Sequence, residues 1–91
     1  MRDLEKFFEE HSDKFLVQES PYYRRDLQAF NRINELVPGN TVMVSAAAHD
    51  QIWLGVDPDA LNAAASDDDL IFLMRCGVGY DSNEDGFYMF V

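Results

Sequence analysis

The closing segment GYDSNEDGFYMFV, residues 79–91, narrows the fold more than any other stretch of the chain. A hexapeptide of turn formers, Asp81-Ser82-Asn83-Glu84-Asp85-Gly86, separates VGYD, residues 78–81, from the aromatic run GFYMFV, residues 86–91. Asn and Asp tolerate tight-turn backbone, and Gly86 is the expected carrier of positive φ. The flanking Tyr, Phe and Val residues suit a half-buried pleated surface. The segment predicts a β-hairpin whose aromatics anchor in a core.

The same hexapeptide has the opening spacing of a calcium loop, with oxygen side chains at positions 1, 3 and 5 and a glycine at 6. A helix–loop–helix site also needs an incoming helix and a bidentate glutamate at position 12. Val78-Gly79-Tyr80 follow a helix-stopping glycine, and Phe87 to Val91 bring no side-chain oxygens beyond the Tyr88 hydroxyl. The turn accounts for every residue, and no metal or cofactor is expected. A looser calcium loop, completed by backbone oxygens and by Asp57 or Asp59, is the alternative.

Upstream, the punctuation is equally regular. Residues 3–17 place Leu4, Phe7, Phe8 and Phe15, with His11, at three- and four-residue steps, which predicts a helix with a break near Ser12-Asp13. Residues 20–37 predict a second helix, capped by Ser20, opened by Pro21 and stopped by Pro38-Gly39. Its apolar stripe reads Tyr23, Leu27, Phe30, Ile33 or Asn34, and Val37, and the two helices are expected to form an antiparallel pair. Residues 41–47 and 51–56 read as two strands, with Val42 and Val44 on one face and a turn at His49-Asp50. Asp57-Pro58 opens a short helix over 57–65. Ser66 caps another over 66–76, with Asp67, Asp68 and Asp69 against the positive end of its dipole and Gly77 ending it. The order ααββααββ predicts one α+β domain over residues 1–91, with a mainly antiparallel sheet of three or four strands.

Charge is the property that bears most on function. The chain carries 17 acids, 7 bases and a net charge of −10. Residues 1–37 hold eight acids and six bases, whereas residues 38–91 hold nine acids and a single base, Arg75. Such a field repels nucleic acid and anionic membranes and attracts a basic protein surface. No apolar run approaches the roughly 20 residues that span a bilayer. The acidic N-terminal residues do not resemble a signal peptide, and the lone Cys76 agrees with a reducing compartment, so a cytoplasmic location is expected.

Residue types of catalysis occur, but without catalytic spacing. Ser45, His49 and Asp50 match no nucleophile elbow, and Cys76 beside Arg75 reads first as a small buried residue. No enzymatic activity is expected. Tyr22-Tyr23-Arg24-Arg25 is a basic–aromatic patch whose arginines are expected to pair with acids of this chain or of a second copy rather than with nucleic acid. The acids cluster as Asp57 and Asp59, then Asp67, Asp68 and Asp69, then Asp81, Glu84 and Asp85. Each is a plausible cap or turn residue that keeps the surface wet. Together they exceed what caps require, and as one patch they would imitate a run of DNA phosphates.

The segments ESPYYRRDLQAF, ELVPGNT, HDQIWLGVD and LIFLMRCGVGYDSNEDGFYMFV resemble small acidic proteins carried by bacteriophages, prophages and other mobile elements, some of which are anti-CRISPR proteins. The resemblance implies inhibition of host defence by a DNA mimic that occupies the basic channel of a CRISPR–Cas effector, and it carries over no catalytic residue. The three acidic groups would form the contact surface in a bacterial cytoplasm, and the near-neutral N-terminal helices would supply core and a dimer face. The alternative is a structural or accessory interaction module of a mobile element, or the neutralising partner of a basic toxin.

Overall fold

A computed structural model describes residues 2–14, 25–39, 43–48 and 50–90. Along the chain run α1 (Leu4–Glu10), a 3-10 turn (Ser12–Lys14), α2 (Arg25–Leu36), β1 (Val44–Ala48), β2 (Gln51–Leu54), α3 (Pro58–Ala64), α4 (Asp67–Arg75), β3 (Val78–Asp81) and β4 (Gly86–Phe90). The four strands form one antiparallel sheet in the order β1-β2-β4-β3, an α+β arrangement as the punctuation predicts. The proposed caps Ser20 and Pro21, the Tyr22-Tyr23-Arg24 part of the basic patch, Phe15, Val42 and His49 lie outside the described residues. Among the described residues, no helix is long and apolar enough to cross a membrane.

Register divides the sheet into two faces. Val78 pairs with Met89, Tyr80 with Phe87 and Ile52 with Met89, so these side chains share the inner face under the helices. Phe87 and Val78 are fully buried there, packed in one core with Leu61, Leu70, Leu73, Met74 and Ile33. Gly79, Tyr88, Trp53 and Asp81 fall on the outer face, which carries the Trp53–Tyr88 ring pair with centroids 5.7 Å apart. α1 joins the core through Phe8, whose ring lies 5.9 Å from Phe87 and 6.1 Å from Tyr80.

Several local expectations are corrected. α1 packs chiefly on β3, and α2 on α3 and α4, so the first two helices are not the expected antiparallel pair. Each finds a larger apolar surface on a different element. α2 buries Ala29 and Ile33, packs Phe30 and Val37 of the expected stripe against the core, and leaves Leu27 43% exposed at the margin of that face. β1 is exposed at all five residues, Val44 included, since it is an edge strand beyond the helical layer. In the last hairpin the left-handed residue is Asp85, at φ 48°, whereas Gly86 pairs with Asp81 as the first residue of β4. Aspartate tolerates that conformation better than most residues, and Tyr80 holds it there. Gly77, at φ 98°, ends α4 as expected.

Arg2 ties the chain start to the α3–α4 corner. Its guanidinium donates to the Asn62 carbonyl at 2.9 Å, the Asn62 side-chain oxygen at 2.8 Å and the Ala65 carbonyl at 2.8 Å. Asn62, only 6% exposed, donates back to the Arg2 carbonyl at 2.7 Å. The Phe7 ring lies 5.8 Å under the same guanidinium. Removing the guanidinium leaves the Asn62 side-chain oxygen, in a nearly buried residue, without that donor, the costly half of the exchange. Arg2→Ala should lower unfolding free energy by about 2–3 kcal/mol in urea titration, with Arg2→Lys recovering only part, because an ammonium cannot reproduce the fork.

Candidate functional site

The eight carboxylates expected to meet a partner sit at three backbone turns, and the fold uses them differently. Asp57 and Asp59 open α3. Asp57 stands at the N-cap but makes no side-chain cap hydrogen bond, so it is not the acid cap that the sequence suggests, and both remain exposed. Pro58 at the first position has no N–H to satisfy, which reduces the need for a cap.

The second group opens α4 and is largely engaged. Ser66 Oγ accepts from the Asp69 N–H at 3.1 Å while Asp69 Oδ2 accepts from the Ser66 N–H at 3.0 Å, a closed capping box. Asp69 Oδ1 also accepts from Arg32 at 2.9 Å. The hydrogen bond from the Ser66 backbone, helped by its hydroxyl and by Arg32, outweighs burial and holds the Asp69 carboxyl below its ordinary value. Asp67 faces Arg2 at 3.2 Å with 71% of its side chain exposed, a geometry worth little in water. Asp68 is exposed.

The third group forms the β3–β4 turn. Asp81 Oδ1 accepts from the N–H groups of Asn83 at 2.9 Å and Glu84 at 3.4 Å, which folds the loop back on its own carboxylate. Asp85 Oδ1 accepts from the Tyr80 hydroxyl at 2.6 Å. Among the described residues, no three His, Cys, Asp or Glu side chains are grouped to hold a metal. Asp81 and Asp85 of the calcium-like spacing both make hydrogen bonds within the hairpin.

Asp59 of the first group and Asp85 of the third both act on the Tyr80 hydroxyl. Glu84 and Asp85 border a depression shared with Gly55 and Val56, the residues just before Asp57. The Tyr80 hydroxyl feels Asp85, Asp59 and Glu5 at once. Its hydrogen bond to Asp85, then burial, then these carboxylates push it up to about 12. Tyr88 is raised by burial and by Asp81. The α4 group lies at the far end of α3, about 10 Å away at a rise of roughly 1.5 Å per residue. Glu5 and Glu9 of α1 join the acidic side, and sequence reasoning missed them because it treated the first two helices as near neutral. Their i, i+4 spacing on one helix face was the available signal.

Of the other constellations, Ser45, His11 and Cys76 have the following surroundings. Ser45 Oγ donates to the Trp53 carbonyl at 3.3 Å on the exposed edge strand. His11 Nδ1 lies 2.9 Å from the Phe7 carbonyl, and its ring stacks on Phe7 at 4.2 Å. Burial pushes the Cys76 thiol up to about 11 against the opposing pull of Arg25 and Arg32, which favours the neutral thiol over the thiolate. No protein-family model, curated protein or solved structure matches the chain.

Asp69→Ala should cost about 1–2 kcal/mol, through the lost cap and ion pair, while Asp68→Ala stays within about 0.5 kcal/mol, both read by urea unfolding. The contribution of Asp69 is present above its unfolded value of 3.8 and is lost as pH falls through its lower folded value. For Tyr80 the sign is opposite. Its folded value lies above 10, so its contribution is complete below pH 10 and disappears as pH rises towards about 12. Asp85→Asn should bring the Tyr80 phenolate transition down towards the ordinary tyrosine range, followed by ultraviolet absorbance.

Proposed function

We propose that this protein is a non-enzymatic inhibitor that occupies the basic nucleic-acid channel of a bacterial defence complex, a CRISPR–Cas effector being the target class, and that it is encoded by a phage or another mobile element. The observation that supports this reading is where the charges are used. Arg2 and Arg32 are turned into the fold by Asn62, Asp67 and Asp69. The carboxylates of Asp57, Asp59 and Glu84 face solvent, with Asp81 and Asp85 beside them.

The magnitudes favour an electrostatic partner. Duplex DNA carries one charge per about 1.7 Å of axis, or about 18 over the 31 Å longest dimension of this molecule. A net charge of −10 gives about half that density. This is enough to compete for lysines and arginines that line a DNA channel, and to repel nucleic acid itself. A field of this kind raises association rate and weakens with salt, since screening acts over about 8 Å at physiological ionic strength.

The test uses purified CRISPR–Cas effectors and fluorescence anisotropy of a labelled target duplex. Stoichiometric addition of the protein should release DNA, less so as salt rises. Asp59→Lys with Glu84→Lys should weaken inhibition by about tenfold or more, through like-charge repulsion, with thermal unfolding unchanged. These two are better probes than Asp69, which closes the α4 cap. Inhibition that survives both reversals, or an effector panel that keeps its DNA, would overturn the reading.

A further inference from the structure

A groove of about 560 Å³ runs over the β3 edge, between α1 and the outer face of the last hairpin. That volume lies within the roughly 300–1,000 Å³ typical of sites that enclose a small ligand. Glu5 and Glu9 of α1 supply one wall. Phe8, Tyr80, Tyr88 and Asp81 supply the other surfaces. No lysine, arginine or histidine lines it among the described residues. No ion pair among those residues engages Glu5, Glu9 or Asp81.

We infer that this groove receives an arginine side chain of the basic partner, gripping the guanidinium between aromatic rings and carboxylates. The inference rests on the proposed function and names the anchor point within it. Ring faces attract cations through their quadrupole, most strongly where water is displaced. A guanidinium stacks flat on a ring while its edge donates in parallel to a carboxylate, whereas an ammonium is a compact and strongly hydrated charge. The groove offers both elements at once. Tyr88 lies over Gly79 so closely that a Cβ there would fall 2.5 Å from the ring. The bare glycine lets this ring lie against the strand, and any side chain at position 79 displaces it. An anion would meet three carboxylates, so the charge complementarity is one-sided.

The experiment titrates N-acetyl-arginine amide into isotopically labelled protein, followed by amide chemical shifts, with N-acetyl-lysine amide as the competing cation. Saturable shifts centred on Glu5, Glu9, residues 79–81 and Tyr88 are expected, and a weaker response to the lysine compound. Glu5→Gln with Glu9→Gln should reduce affinity by about tenfold, the loss of a charge-assisted contact. Gly79→Ala should reduce it similarly by moving Tyr88, with the fold checked by circular dichroism. Asp26→Asn, on α2, should change it by less than about twofold, as expected for a screened distant charge. Equal lysine and arginine responses, shifts without saturation, or a Glu5/Glu9 variant that binds normally would overturn the inference. The DNA-release assay is independent of this titration, so a groove that ignores guanidinium in a protein that still releases DNA would refute the anchor and leave the inhibitor reading standing.

Discussion

The Arg2 guanidinium meets two backbone carbonyls and the Asn62 amide oxygen at the corner between α3 and α4, sixty residues away in the chain. That contact fixes where α1 begins. Once α1 is anchored, Phe8 reaches Phe87 and Tyr80, and the helix lies along β3. The placement creates the acidic groove wall, because Glu5 and Glu9 then face the hairpin. A short helix of seven residues has little stability of its own. Its position is set by tertiary contacts at both ends, a fork of charge-assisted hydrogen bonds and a ring cluster.

The same economy governs the acids. Asp69 serves a cap and an ion pair, and Arg32 in turn stacks over Phe72 at 4.3 Å. Those groups hold α4 against α2 and have little left to offer a partner. The turn acids differ. Asp81 and Asp85 organise their loop through one oxygen each, and a carboxylate has two. They can stabilise the hairpin and still present negative charge. A carboxylate that also shapes its own loop is held in place before binding, which reduces the ordering cost of an interface.

Legibility in the sequence followed the range of the interactions involved. Ser66 with Asp69, Gly77, Pro58 and the Asp81–Gly86 turn are local signals acting within a few residues, and the elements they bound formed where expected. The three acidic groups were equally visible as clusters. Their relation was not, since it depends on α3 spanning the gap between two of them and on the hairpin tip reaching Gly55 and Val56. The α1–α2 pairing failed for the same reason. Amphipathic stripes show that a face is buried but not against what, and Leu27 shows that the stripe itself can be misplaced by a fraction of a turn. The exchange of roles between Asp85 and Gly86 has a smaller cause. The Tyr80 hydroxyl rewards the aspartate for taking the left-handed position, and that bond runs across the hairpin.

Among the described residues, no helix covers the outer face of the sheet. Trp53, Tyr88 and Phe90 lie there, with Phe90 49% exposed, next to an edge strand of valine, serine and three alanines that is exposed throughout. An uncharged edge beside exposed rings favours self-pairing of sheets, and the register shift between Val44 and Ala46 interrupts that edge. β1 holds no lysine, proline or inward charge against it. What opposes self-association is the charge of the whole molecule, because two copies at −10 must approach against their mutual field. The acids thus act over distance, in addition to the local irregularity of the strand. The same field would lower the barrier for a positively charged surface approaching that face and raise it for a second copy.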